Sequence, residues 1–386
     1  MKLAIATPTE LTRDPRARRA AAAACALGAE VVGLCPASSD MPMPIAGVKI
    51  VRSGSTSVGT AHIRLLGEAL PHELRIVREL RGLWRLARLI RLTAALVGAA
   101  RVIDGITVVH ANDLDSLPAG WKIARSQHAR LIYDAHELYT SQEPDPPRFH
   151  RFIAHMLEAF FARRADEVVT VNAPIADELH RRLRLARRPL VVLNCPNIET
   201  IPEIVGSGGP LRVVYQGAMG PGRFLDDLLA ATALAPGIEL TLRVAGTDPA
   251  TLRGHVQERG LRDRVLVVPP VAPDVLVESL VGFEVGVIIN RPVTLNDELV
   301  LPNKLFEYLM AGLAVVAPRL PALTPVLDGV GATFRPGEPA DLAAVLVKLA
   351  GDPSLVLALR KEARAQALST YNAESQAAVL QTAWGV

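Results

Sequence analysis

Residues 301–318 read LPNKLFEYLMAGLAVVAP. Leu305, Leu309 and Met310 fall on one helical face, which predicts a helix from Asn303. The β-branched run behind it predicts a strand over Ala314–Ala317. Working outward, the same alternation recurs along the chain. Strands are predicted at Leu3–Thr7, Glu30–Leu34, Thr107–His110, Arg130–Asp134, Glu167–Val171 and Pro189–Leu193. Helical stretches such as Arg16–Leu27, Leu74–Val97 and Ala119–Gln127 lie between them. The pattern then restarts with strands at Leu211–Gln216, Glu239–Val244, Val265–Val268 and Val285–Ile289. Such alternation produces parallel sheets covered by helices on both faces.

The expected fold class is α/β, as two facing Rossmann-like doubly wound domains. A chain of 386 residues exceeds what one core usually supports. The stretch NCPNIETIPEIVGSGGPLR (194–212) is rich in proline and glycine and reads as the seam. The expected domains are 1–197 and 198–371, with the closing helix at about 372–386 able to pack back on the first. Ligands of doubly wound sheets bind beyond the carboxyl ends of the strands, and two such edges would line one cleft.

Composition narrows the function classes. Half of the residues are hydrophobic and 21% are charged, an ordinary globular balance. Aromatics are only 4%, which argues against stacking platforms for nucleic acid, and a net charge of +3 selects no polyanionic partner. Cys25, Cys35 and Cys195 are widely spaced and form no CxxC pair, so neither a disulfide framework nor a zinc site is expected. The N-terminus lacks a signal-peptide core, and no run reaches the roughly 18 apolar residues of a spanning helix. A cytoplasmic protein is expected, with contact to the inner face of a membrane left open.

The polar residues of the opening stretch gather at the helix start. Pro302 precedes the helix, and Asn303 suits an N-cap or first-turn position. Lys304 stands at the positive end of the helix dipole, a conflict that a bound anion such as a diphosphate would repair. Glu307 is about one turn further on, and a carboxylate can accept from both hydroxyls of a ribose. The alternative is a surface Lys–Glu pair at i, i+3. A second phosphate candidate is YQGAMGPGRFLDDLL, where a strand ends in Gly217, Gly220 and Gly222 followed by Arg223. Glycines permit close backbone approach and Arg223 offers a cationic fork, but many tight βα turns look alike.

Taken together, these segments resemble the family-4 glycosyltransferases of the type-B fold (GT-B). LPNKLFEYLMAG carries the strongest likeness. VVHANDLDSLPAG (108–120), YDAHELY (133–139), ADEVVTVN (165–172), NCPN (194–197) and YQGAMGPGR agree in order and spacing. The likeness is weakest from about Ala37 to Arg101. It implies a nucleotide-sugar donor, a UDP- or GDP-sugar, held by the second domain, and an acceptor held by the first. It implies transfer of a hexose with retention of anomeric configuration and without a catalytic metal or other cofactor. Glu307 matches the glutamate on the donor ribose, and Arg223 a basic residue on the diphosphate, with Gly217, Gly222, Asn303 and Lys304 around the donor. His110 and His136 match the histidine motifs bordering the transferred sugar, with Asn112, Asp113 and Glu137 on the acceptor side. Three departures stand out. Leu299 occupies the place of a second glutamate, beside Glu298; Ala218 follows Gly217 where an arginine or serine is common; and Asn112 makes the HAH motif HAN.

Other readings compete for the remaining motifs. Asp134 is expected to cap the turn after it, and Asp113 or Asp115 of DLD to cap a helix rather than hold a metal. Residues 74–92 form a basic amphipathic helix, with Arg75, Arg78, Arg81, Arg85, Arg88 and Arg91 recurring every three or four residues. Ile76, Leu80, Leu83, Ala87 and Ile90 form its apolar face, expected on the sheet, with an anionic membrane as the alternative site. A lipid-linked acceptor would suit the membrane reading, a small glycoside the other. The alternatives to a transferase are a nucleotide-sugar 2-epimerase and a degenerate nucleotide-sugar-binding protein on the same fold.

Overall fold

The computed structural model describes residues 1–36, 44–53, 75–206, 208–218, 224–272 and 275–386, without the side chains of 75–80. The chain divides into two units, Met1–Val192 with Ala377–Val386, and Leu193–Gln376. The division follows Val192, five residues before the expected seam at 197, and the last residues belong with the first unit.

The first unit runs β1 (Lys2–Ala6), α1 (Pro15–Ala26), β2 (Glu30–Pro36), β3 (Val48–Ser53), α2 (Arg75–Ala100), β4 (Val108–Asn112), α3 (Asp113–Gln127), β5 (Arg130–Ala135), α4 (Arg148–Ala162), β6 (Glu167–Thr170), α5 (Ala173–Leu183) and β7 (Leu190–Val191). Among the described residues its sheet has seven strands in the order β3-β2-β1-β4-β5-β6-β7. All the pairings are parallel; Leu3, for example, lies opposite Val31 on one side and Val108 on the other. Residues such as Leu3, Ile5, Val108, Ile132 and Val169 fill the core, which also takes in Leu380 and Trp384 near the C-terminus. Helix starts follow local chemistry. Asp14 accepts from the backbone N–H groups of Arg16 and Ala17 to cap α1, with Pro15 in its first turn, and Asn172 accepts from Ile175 to cap α5.

The second unit runs β8 (Leu211–Ala218), α6 (Leu225–Leu234), β9 (Ile238–Ala245), α7 (Pro249–Glu258), β10 (Val265–Val268), β11 (Val285–Val287), α8 (Leu295–Leu299), α9 (Asn303–Met310), β12 (Ala314–Pro318), α10 (Leu323–Val326), β13 (Gly331–Phe334), α11 (Pro339–Ala350) and α12 (Pro353–Ser369). The closing helix α13 is Ala373–Trp384. Six strands lie in the order β10-β9-β8-β11-β12-β13. In each sheet the order reverses beside the unit's first strand, at β1/β4 and at β8/β11. Such switch points leave a crevice at the carboxyl ends of the two strands.

Three expectations need correction. Helix α3 begins at Asp113 and runs through Pro118, well ahead of the predicted Ala119. Helix α2 buries a different face from the one predicted. Leu83, Ala87 and Ile90 are exposed, while Gly82, Leu89, Leu92 and Leu96 are buried. Gly82 explains the rotation: a Cβ there would stand 2.9 Å from His150 Cβ and 3.2 Å from Pro147 Cβ, so the bare backbone packs on the start of α4. The side chains of Arg75, Ile76, Arg78 and Leu80 lie outside the described residues. Finally, β3 and β13 were not expected; both are edge strands. Among the described residues, no single helix is long and apolar enough to cross a membrane.

Candidate active site

In the second unit, the helix read first from the sequence meets the switch point. Tyr308 of α9 anchors it there. Its ring lies over Gly286 of β11, where a Cβ would come within 2.3 Å of the ring. The hydroxyl accepts from the backbone N–H of Gln216 at 3.1 Å and donates to the Val287 carbonyl at 3.4 Å. Burial holds the Tyr308 phenol well above its ordinary range, so it remains a donor.

One turn of α9 then faces the end of β8. The Gln216 side-chain amide donates to Glu307 at 2.9 Å and fixes the half-buried carboxylate. The Gln216 side-chain Oε1 accepts from Arg243 at 3.4 Å, and Arg243 also donates to the Ser279 hydroxyl at 2.7 Å. Lys304 is buried, with its ammonium 4.4 Å from the Tyr215 ring centroid. That ammonium lies against Gly217, where a Cβ would stand 2.7 Å from it. Gly217 has φ +152°, so both conformation and space call for glycine. Asn303 is the first helical residue and Pro302 takes the N-cap position, so Asn303 is not the cap. Leu299 ends α8, which a capping box of Thr294 and Asp297 begins. Gly222 and Arg223 lie outside the described residues.

In the first unit, the switch point is polar and tightly wired. Asp134, at the end of β5, is only 1% exposed. It receives two hydrogen bonds from Arg16, each 2.7 Å, and a third from His110 at 3.1 Å. Arg16 also donates to the Val192 carbonyl at 2.7 Å. Burial opposes the charge on Asp134, but Arg16, the His110 hydrogen bond and His136 hold its carboxyl well below the usual range. The expected turn cap is therefore a buried ion pair. The indole N–H of Trp384 donates to His110 Nδ1 at 3.2 Å. That nitrogen must be unprotonated, so His110 Nε2 carries the hydrogen given to Asp134. His110 is fully buried with both ring nitrogens occupied.

His136 is the accessible histidine, with its side chain 17% exposed. Its Nδ1 lies 3.2 Å from Asp113 and its Nε2 lies 3.1 Å from the Asn112 side-chain oxygen. Asn112 is oriented by its own amide, which donates to the Ala6 carbonyl at 3.1 Å. Asp113 adopts φ +58° and accepts from the His136 backbone N–H at 3.0 Å. Burial raises the Asp113 carboxyl, and the His136 charge acts against that. The expected caps are thus corrected: Asp113 binds His136, and Asp115 accepts from Tyr139 at 3.1 Å. Glu137 follows His136 and is half-buried. Among the described residues, no group of three or more His, Cys, Asp or Glu side chains is arranged to hold a metal ion.

Behind this cluster, Glu158 of α4 is buried and accepts from the Tyr133 hydroxyl at 2.8 Å. Burial pushes its carboxyl up to about 7. The folded chain therefore keeps this proton to higher pH than the unfolded chain does. Stability should fall as pH rises from about 4.5 to 7, by on the order of 3 kcal/mol, and level off above. Urea midpoints across that range should show a shallower decline in Glu158→Gln.

Residues 14–196 match the glycosyl transferase 4-like domain, and residues 210–352 match the glycosyl transferases group 1 domain. The chain is a glycosyl transferase. No curated protein matches its sequence significantly. Among solved structures, this transferase is similar to sucrose-phosphate synthase from Thermosynechococcus elongatus, at 19% identity and TM-score 0.76, covering 100% of this chain and 98% of that one. HepE from Anabaena, solved with UDP and glucose, is 16% identical with TM-score 0.69, and the match covers both chains fully. The lipopolysaccharide outer core galactosyltransferase WaaB is 14% identical with TM-score 0.63, covering 99% of each chain. These likenesses show the fold, two Rossmann-like domains of GT-B type.

Sequence reasoning did not single out Gln216, Arg243, Arg16 or Trp384. Gln216 left a legible trace, a lone amide closing the buried run Leu211–Tyr215. Arg16 and Trp384 left none, because their partners lie 118 and 274 residues away.

Proposed function

We propose that the second unit binds a nucleotide-sugar and that the chain transfers its sugar to an acceptor hydroxyl with retention of configuration, without a catalytic metal. The observation that carries this reading is the Glu307 carboxylate, held by Gln216 one helical turn from buried Lys304 at the switch point. Glu307 accepts from the ribose hydroxyls; Lys304, with Arg223, stabilises the diphosphate as charge builds on it. Asn303, Gly217 and Gly222 complete the donor site. The leaving diphosphate takes the acceptor's proton, so no separate protein base is required. The solved complexes of HepE with UDP support a UDP-type donor. In the first unit, His136, Asp113 and Glu137 face the acceptor, buried Asn112 orients His136, and His110 acts through Asp134 as a positioning residue. Leu299 leaves the sugar hydroxyls to other groups than a second glutamate. A cytoplasmic location and a peripheral membrane contact complete the proposal, with a lipid-linked acceptor.

Incubation with a labelled nucleotide-sugar and candidate acceptors, followed by NMR of the anomeric proton, tests it. The product should keep the donor's anomeric configuration. An inverted product would overturn retention, and isomerised donor in the absence of acceptor would mark an epimerase.

A further inference from the structure

Helix α4 packs with its amphipathic character reversed. Its buried side carries His150, Ala154, Glu158, Ala159 and Ala162, with Ile153, Leu157 and Phe161 half-buried. Its exposed side carries Phe149, Phe152, Met156 and Phe160, each between 42% and 61% exposed. At about 100° per residue these four form one stripe opposite the buried residues. Burying a glutamate while three phenylalanines and a methionine face water is the reverse of what water alone would select. A contiguous apolar stripe of this kind marks a binding surface. It continues to Trp121 of α3, whose ring centroid lies 6.3 Å from that of Phe160.

The charge around the stripe identifies the partner. Arg148, Arg151, Arg163 and Arg164 are exposed along α4 and just past its end. Arg164 stacks on Phe160, and Arg125 stacks on Trp121. Within 148–164 Glu158 is the lone acidic residue, and it is buried. Of the exposed acids nearby, Glu143 pairs with Arg85 and Asp166 accepts from the Leu131 backbone N–H. An apolar stripe with a basic margin matches the interface of an anionic bilayer, apolar below and negative at the surface. A second copy of the chain would instead oppose two arginine-lined faces.

We infer that α4 is the face by which this protein lies on a bilayer containing anionic lipid, with the Phe149–Phe160 stripe at the acyl boundary. This deepens the proposed membrane contact and moves it from 74–92 to 148–164; the donor chemistry is independent of it.

Flotation of the full chain with phosphatidylcholine vesicles, with and without phosphatidylglycerol, tests the inference. The wild type should float only with phosphatidylglycerol at low salt. The triple variant Phe149→Ser/Phe152→Ser/Met156→Ser should partition about tenfold less or weaker, with an unchanged melting midpoint because these side chains are exposed. Arg148→Glu/Arg151→Glu should also float less. Absence of wild-type flotation, or equal flotation of the triple variant, would overturn the inference. So would a stripe-dependent dimer in sedimentation velocity without vesicles. Nucleotide binding measured without lipid reports on the transferase reading separately.

Discussion

Asp134→Ala is expected to destabilise the first unit by about 3–5 kcal/mol, because it strands a buried guanidinium. Arg16 would keep the Val192 carbonyl but lose both carboxylate bonds, and His110 would lose the acceptor for its Nε2 hydrogen. For a unit of this size the midpoint should fall by about 10 °C. The double variant Arg16→Met/Asp134→Leu should recover much of the loss, since replacing a buried pair with apolar groups is often neutral. The pH dependence carries a definite sign. A carboxyl held well below its ordinary range contributes stability above about pH 4 that is lost as pH falls below it. Wild-type midpoints should therefore drop in that acid range, and Asp134→Ala should drop less. Equal stability of the two proteins at pH 7 would mean that the ion pair does not hold this switch point together.

Glu307→Ala is expected to weaken donor binding about a hundredfold. Two hydrogen bonds to a charged acceptor are lost, each contributing about 1.5 kcal/mol, the lower end for such bonds at a half-exposed carboxylate. The helix should survive, because its packing rests on Leu305, Phe306, Tyr308 and Leu309, all fully buried. Gln216→Leu should have a smaller effect of the same sign, since it frees the carboxylate without removing it. Isothermal titration with the nucleotide diphosphate, beside a melting curve for each variant, separates lost binding from lost fold. Unchanged affinity in Glu307→Ala would remove the carboxylate from the donor site.

Much of the fold was legible because buried parallel strands read as unbroken apolar runs. The strands from Lys2, Glu30, Arg130 and Val265 lie within two residues of their predicted ends. Two of the edge strands, β3 and β13, escaped for a physical reason. Val48–Ser53 is half-exposed and mixed in polarity, and Gly331–Phe334 begins with a glycine and is short. The closeness of Lys304 and Glu307 to Gly217 was legible because they share one helix turn and one strand end. The first unit's wiring was not, since Arg16, Asp134, His110 and Trp384 come from four distant segments. The apolar face of α2 was misassigned because a glycine, which carries no hydrophobic signal, sets its packing. The stripe on α4 was invisible for the opposite reason: periodicity locates an apolar face but does not say whether protein covers it.

The central claim is that the second unit binds a nucleotide-sugar through Glu307 and Lys304. Thermal-shift titration against UDP-, GDP-, ADP- and TDP-sugars tests it most directly. A ligand at a hundred times its Kd stabilises by about 2.7 kcal/mol, so one nucleotide class, UDP first, should raise the midpoint by several degrees, and Glu307→Ala should abolish the rise. No rise with any of the four at millimolar concentration, or an equal rise in Glu307→Ala, would contradict it.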